Sequence, residues 1–293
     1  MRVRLVTFTA ASQPSLGLLR DDATIVDLAA YPALPRTMVA FVALGDVGLA
    51  RAAELRESGP SIPRSSVRLL APIRPRNNVM AVGKNYRDHA KEFSDSGFDA
   101  SKTTVIPDHP IVFTKAVSAI TGPEDVIDVS SDPTATSDYE GELGVVIGPG
   151  GVRIAARDAW DHVYGYTIVN DMTVRALQRQ HVQFFIGKSA ATFCPMGPCI
   201  VTRDEIGDIT TAWLRTTVNG EQRQAARIAD LIFDIPTLIE AISAVVLLEP
   251  GDVIATGTPA GVGISFDPPV YLTAGDVVEV SIDGIGSIRN PVV

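Results

Sequence analysis

A chain of 293 residues with 46% hydrophobic side chains can build a sizeable core in one large domain or two smaller ones, which excludes a disordered chain. The formal net charge is −9, from 34 acidic against 25 basic residues, and excludes a general nucleic-acid binder, although a few local cations could still hold a small anion. The two cysteines, Cys194 and Cys199, have neither CxxC nor zinc-site spacing and read as free thiols of a reducing compartment.

In chain order, RVRLVTF, LGLL and ATIVDL read as short strands bounded by turn residues. The first of them lacks the apolar middle of a signal peptide. Residues 38–57 are rich in Ala and Leu and read as helix, broken near Gly45, before the Gly/Pro/Ser-rich connection ESGPSIPRSS. Residues 1–70 are therefore expected to form a small N-terminal α/β domain, and residues 71–293 a second, larger one. From RLLAPI onward, short β-like segments predominate: IVFTK, ELGVVIG, YGYTIVND, CIVT, LRTTVNG, DVIATG and VVEVSIDGIGSIRN. The helices between them, NYRDHAKEF, TVRALQRQH and IPTLIEAISAVVLL, do not alternate regularly with strands. That argues against a doubly wound parallel sheet and for an α+β, mainly β class. The apolar run AISAVVLL is too short to span a bilayer, so a soluble cytoplasmic protein is expected.

VMAVGKNYRDHAKEF reads as a strand ending at Gly83 and a helix capped near Asn85. His89 and Glu92 then share a helix face. A carboxylate on one ring nitrogen would raise the basicity of the other, which suits proton abstraction from water. An ordinary surface pair at this spacing is the more frequent outcome. His109, His162 and His181 have no comparable partner nearby in sequence.

DYEGELG places Glu140 and Glu142 on one strand face, with Gly141 leaving the other face uncrowded. Asp138 continues the alternation, as a solvated strand would. Gly144 and Val146 instead continue it as a buried one, so both readings stand. If buried, two carboxylates this close need a cation, and oxygen donors favour hard ions such as Mg2+ or Mn2+. Asp171 ends the apolar run TIVND and could cap a helix or serve as a third ligand. Arg175 and Gln178 follow on the same side of that helix. Lys188 sits inside the apolar run FFIGKSAATF, where a role against an anion is plausible. GKS lacks the upstream glycine of a phosphate loop, because Val182 stands there. In DVIATGTPAGVG, backbone N–H groups and Thr258 could grip a carboxylate, or the segment could be a tight turn.

Six motifs in order, GKNYRDHAKE, DYEGELGVVIG, VNDMTVRALQ, GKSAATFCPMGP, VNGE and LEPGDVIATGTPAGVG, make the chain from about Ala71 to its end resemble the fumarylacetoacetate hydrolase family. The resemblance implies a mixed β-sandwich roll, a homodimer, and Mg2+ or Mn2+ held by Glu140, Glu142 and Asp171. It implies that His89 and Glu92 activate water and that Lys188 lies beside the metal. Arg175, Gln178 and Thr258 would hold a small anionic oxo-acid substrate. The polar segment of about residues 93–110 is longer than in compact members and stands where the family carries a lid.

The activity this implies first is hydrolysis of a carbon–carbon bond in an acylpyruvate, such as fumarylpyruvate or maleylpyruvate, to pyruvate and a carboxylic acid. The alternative is an isomerase or decarboxylase of 2-oxo-dioic acids, 2-hydroxyhepta-2,4-diene-1,7-dioate or oxaloacetate. A non-catalytic dicarboxylate-binding protein is the third reading. No nucleic-acid or membrane partner is expected.

Overall fold

All seven residues of the strand Gly141–Ile147 are buried. A strand that is buried on both faces must have sheet neighbours on both edges and layers above and below it. The computed structural model describes residues 3–10, 13–20, 23–97 and 105–293 and shows both. On one edge Gly141–Ile147 pairs antiparallel with Val163–Asn170. On the other it pairs antiparallel with Val253–Ala255. Beyond Val253–Ala255 come Val79–Gly83, running parallel to it, and then Ile111–Lys115. In the other direction, Cys194–Thr202 joins Val163–Asn170.

The N-terminal strands extend this sheet. Arg4–Thr9 pairs with Cys194–Thr202 in the register Leu5↔Ile200, and Ser15–Leu19 and Thr24–Asp27 follow outward. Leu5, Leu18 and Phe41 share a core with Cys194, Ile200 and Val253, so the first seventy residues pack directly on the rest. The expected helical break is present: Met38–Val42 is capped by Thr37, and a second helix runs Gly45–Ser58.

Twelve described strands form the main sheet, and four form a second, antiparallel sheet. Two of the four, Trp213–Val218 and Val277–Ile282, alternate buried and half-buried residues, as expected of a sheet with one face inward. Leu214, Val278 and Val280 meet Leu143 and Val145 of the main sheet in a common core. The helix expected over IPTLIEAISAVVLL stops at Ser243, and Val245 and Leu247 beyond it face solvent. No helix among the described residues is long and apolar enough to cross a membrane. The expected lid lies partly outside the described residues, which omit 98–104.

Gly141 has a sharper role than leaving space. A Cβ built on it would lie 2.3 Å from Thr216 Oγ1 and 2.9 Å from Val280 Cγ1, both on the second sheet. The face expected to be uncrowded is where the two sheets close. Gly141→Ala should therefore cost about 1–3 kcal/mol through overpacking. A denaturant midpoint equal to that of the wild type would refute this contact.

Candidate active site

Strand register builds the site. Gly141 faces Asn170 across the ladder, so Glu140 and Asp171, each one residue beyond that pair, meet at its end. The Asp171 N–H donates to Glu140 O at 2.8 Å, and the Glu140 N–H donates to Asn170 Oδ1 at 3.0 Å. Glu142 lies two residues further along the buried strand. Carboxylate oxygens of Glu140, Glu142 and Asp171 come within 4.8 Å of one another, and all three residues are buried.

Asp171 does not begin a helix. Thr173–Val174 is taken up in a short ladder with Ser137–Asp138, and the helix starts only at Arg175. Asp138, whose alternation fitted a solvated strand, is fully buried. It accepts from Arg175 Nε at 2.8 Å and from the Gly263 and Ile264 N–H groups at 2.7 and 3.1 Å. Arg175 is thereby fixed, and its Nη1 pairs with Glu140 Oε1 at 2.6 Å. One turn along, Gln178 Oε1 accepts from the same Nη1 at 3.2 Å. Arg175 Nη2 is buried and has no hydrogen-bond partner among the described residues.

Lys188 Nζ bridges Glu140 Oε2 and Asp171 Oδ2, each at 2.7 Å. A second buried ammonium, that of Lys115, pairs with Asp171 Oδ1 at 2.6 Å and also donates to the Met172 and Lys188 carbonyls. The sequence reading assigned Lys115 no role. The only signal was a lysine closing the apolar strand IVFTK. Gln224 was missed as well. It is the buried position of an otherwise exposed or half-buried strand, Glu221–Arg227. Its Nε2 donates to Thr258 Oγ1 at 2.7 Å and its Oε1 accepts from the Gly141 N–H at 3.0 Å. Because the Thr258 oxygen accepts from Gln224, its own hydroxyl proton is left to donate.

Asn85 is not a helix cap. The helix Arg87–Asp95 begins after Tyr86, and the Asn85 side chain bonds the Phe233 and Thr256 carbonyls and the Phe233 N–H. This bracket sets the helix against the loop after Val253–Ala255. At Gly257 in that loop φ is +105° and a Cβ would lie 2.7 Å from Asn85 Cβ, so glycine is required there. Its N–H donates to Glu142 Oε2 at 2.9 Å.

His89, Glu140, Glu142, Arg175, Gln178, Lys188 and Thr258 thus line one cavity, and Asp171 is tied to it through Lys188. Glu92 is apart from them. Its carboxylate accepts from the Gly261 N–H at 3.0 and 3.2 Å, and His89 Nδ1 lies 4.0 Å away, beyond hydrogen-bond reach. His89 Nδ1 is buried with no hydrogen-bond partner among the described residues.

The electrostatics follow from burial. Burial alone would raise the Glu140 carboxyl, but Lys188 and Arg175 overcome it and hold it at about 2. Glu142 goes the other way: burial, then Asp171 and Glu140, push it well above the usual carboxylate range. Glu142 has no ion-pair partner among the described residues, so it is the carboxylate that most requires a further cation. Within the ion-paired cluster, four carboxylates, counting Asp138 and taking Glu142 as ionised, stand against the three cations of its ion pairs, Lys115, Arg175 and Lys188. One negative charge remains, which a divalent ion would reverse. Three converging hard oxygen donors make this a site for Mg2+ or Mn2+.

His89 is lowered to about 4, first by burial and then by Arg175, Lys188 and Lys84, with Glu140 opposing. The folded state therefore holds it neutral where an unfolded histidine, at about 6.5, is protonated. Stability should fall as pH drops from about 6.5 towards 4, because the unfolded chain then binds the extra proton. Nitrogen-15 NMR of the metal-free protein should show neutral His89 down to about pH 5. A midpoint near 6.5 would contradict its enclosure.

The fold and site together define a class: two packed sheets with a carboxylate centre for a hard divalent ion, flanked by a neutral imidazole and fixed cations. The family model described as fumarylacetoacetate (FAA) hydrolase C-terminal matches residues 78–293. The chain is 45% identical over 294 residues to oxaloacetate tautomerase YisK of Bacillus subtilis, covering 94% of this chain and 95% of that one. It is 40% identical over 300 residues to the mitochondrial oxaloacetate tautomerase fahd2 of Xenopus laevis, covering 100% and 91%. Among solved structures, the fumarylacetoacetate hydrolase of psychrophilic Exiguobacterium antarcticum superposes with a TM-score of 0.84 at 39% identity, covering 99% of each chain. Maleylpyruvate hydrolase of Sphingobium sp. SYK-6, in complex with manganese(II) and pyruvate, gives 0.80 at 31% identity, covering 99% and 98%. The chain belongs to the fumarylacetoacetate hydrolase family, and its fold is that family's.

Proposed function

We propose that this protein is a metal-dependent isomerase that interconverts the keto and enol forms of a small 2-oxo-dioic acid, with oxaloacetate the first substrate to test. The observation that carries the reading is the separation of His89 from Glu92. A neutral imidazole with no carboxylate partner suits the transfer of one proton, whereas water activation calls for an oriented pair. The likeness to two oxaloacetate tautomerases supports it over the acylpyruvate hydrolysis expected first.

In this reading Glu140, Glu142 and Asp171 hold Mg2+ or Mn2+. The ion, when bound, supplies Lewis-acid polarisation of the 2-oxo oxygen, which acidifies the neighbouring C3–H. Arg175 Nη2 and the Thr258 hydroxyl, each with a donor to spare, bind and orient the substrate carboxylate. His89 takes the proton from C3 and passes it to the enolate oxygen, and in the reverse direction it carries the enol O–H proton back to C3. Lys188, held by Glu140 and Asp171, places positive charge where negative charge develops. Phe93, Phe113 and Phe184 in the cavity wall limit water around the reacting carbon.

The purified protein with Mg2+ should accelerate decay of enol oxaloacetate, followed by its ultraviolet absorbance, and EDTA should abolish the effect. No acceleration over the metal alone would reject the reading. The second reading is hydrolysis, favoured by the likeness to maleylpyruvate hydrolase. Its signature is pyruvate release from maleylpyruvate.

A further inference from the structure

Asp138 is the carboxylate of the buried cluster that lies outside both the metal triad and the cavity wall. Enclosing a charge is costly unless its lone pairs are answered, and here four donors answer them. Its Oδ1 accepts from the Gly263 N–H at 2.7 Å and from the adjacent Tyr139 N–H at 2.9 Å. Its Oδ2 accepts from Arg175 Nε at 2.8 Å and from the Ile264 N–H at 3.1 Å. The loop can come this close only because residue 263 is glycine. A Cβ there would lie 2.6 Å from Asp138 Oδ1 and 2.2 Å from Val270 O. Val262 and Ile264, on either side of Gly263, pack with Phe93 of the cavity wall.

Arg175 is held at two of its three nitrogens. Asp138 holds Nε, while Glu140 Oε1 at 2.6 Å and Gln178 Oε1 at 3.2 Å hold Nη1. Nη2 has no hydrogen-bond partner among the described residues, and Arg175 lines the cavity. A guanidinium is planar, so fixing Nε and Nη1 fixes the direction of Nη2. Glu140 alone cannot do this, because it also answers Lys188 and belongs to the metal triad. Without the Nε contact the fork could turn and give both Nη groups to Glu140, the bidentate pairing that arginine favours with a carboxylate.

We infer that Asp138 is a positioning residue for substrate binding: by holding Arg175 at Nε it keeps Nη2 turned into the cavity, clear of Glu140, for the carboxylate of a 2-oxo acid. The inference rests on the 2-oxo-acid reading of the site given above. Asp138 acts through Arg175 and touches neither substrate nor metal.

The test titrates oxalate, the carboxylate and neighbouring carbonyl oxygen of a 2-oxo acid without the rest, into the Mg2+-loaded protein by calorimetry. In Asp138→Asn the amide oxygen can still accept from Gly263 and Tyr139, but its NH2 meets the Arg175 Nε–H and the Ile264 N–H, donor against donor. Oxalate affinity should fall by about 10–100-fold. KM for oxaloacetate should rise in parallel with kcat changed far less, and Mg2+ affinity measured without oxalate should stay close to that of the wild type. Arg175→Met should cost at least as much oxalate affinity, and adding Asp138→Asn to it should cost little more, because the carboxylate then has nothing to aim. A merely structural role would give the same loss in both backgrounds. Where either variant yields no folded protein, Arg175→Lys decides. It leaves Asp138 intact but offers one ammonium for Asp138 and Glu140 to share, so oxalate should bind about tenfold or more weakly. Wild-type oxalate affinity in Asp138→Asn or in Arg175→Lys, or equal losses in the two backgrounds, would overturn the assignment while leaving the 2-oxo-acid reading standing if the wild type turns over oxaloacetate. If the expected coupling appears but oxaloacetate is left unchanged by the wild type, Asp138 keeps its role and oxaloacetate isomerisation fails. If the wild type binds no oxalate, the role of Asp138 fails, and turnover of oxaloacetate then decides the 2-oxo-acid reading.

Discussion

Glu142→Gln is expected to lose its divalent ion and at the same time to make the metal-free protein more stable. The two effects have one cause. Glu142 is buried, lacks an ion-pair partner among the described residues, and faces the negative charges of Asp171 and Glu140. Its carboxyl is held well above the usual range, so the folded state binds that proton more tightly than the unfolded chain does. By linkage, metal-free stability is greatest below the unfolded value of about 4.3 and falls as pH rises through the range where the unfolded carboxyl ionises. At neutral pH the glutamine amide removes that penalty while keeping the shape and an oxygen to accept the Gly257 N–H. With the ion present the order reverses, because a carboxylate ligand stabilises the loaded state and an amide replaces it poorly. Metal-free Glu142→Gln should therefore melt above the metal-free wild type, and Mg2+ should raise the wild-type midpoint but leave the variant's almost unmoved. Turnover should fall by about 10³-fold or more, since the missing polarisation is worth several kcal/mol. Undiminished metal content by elemental analysis would dismiss Glu142 as a ligand.

The parts of this site that were legible from sequence were local ones. The period-two spacing placed Glu140 and Glu142 on one face, and the i, i+3 spacing placed Arg175 beside Gln178. Their meeting with Asp171 depends on the register Gly141↔Asn170, which joins residues about thirty positions apart and leaves no local mark. The ordered motifs of the family supplied that long-range information. Misreadings came where a polar residue has one meaning on a surface and another in a core. Asp138 fits a solvated alternation until Arg175 and the Gly263 and Ile264 N–H groups close over it. Asn85 fits a helix cap until its amide is seen bridging to Phe233 and Thr256. Lys115 and Gln224 carry no local signal for the same reason: each lies in a strand whose pattern says only that it is a strand, and each takes its meaning from partners more than thirty residues away.

His89→Gln should lower turnover by about 10²–10⁴-fold, the usual range for removing a general base, while leaving divalent-ion affinity close to that of the wild type. His89 forms no ion pair with the triad, whose carboxylates are held by Lys188, Lys115, Arg175 and the Gly257 N–H, so the metal site should survive the change. A variant with wild-type turnover would remove His89 from the mechanism. Glu92 then distinguishes the two chemistries. If His89 moves a proton at carbon without a carboxylate partner, Glu92→Gln should cost less than about tenfold, because the amide oxygen can still accept from the Gly261 N–H that the carboxylate engages here. If the enzyme activates water through a coupled pair, Glu92→Gln should cost nearly as much as His89→Gln, and the double variant little more than either alone. The 4.0 Å gap between Nδ1 and the carboxylate predicts the first pattern. Non-additive losses of equal size, together with pyruvate release from maleylpyruvate, would show instead that the pair closes on substrate and that the hydrolytic reading is right.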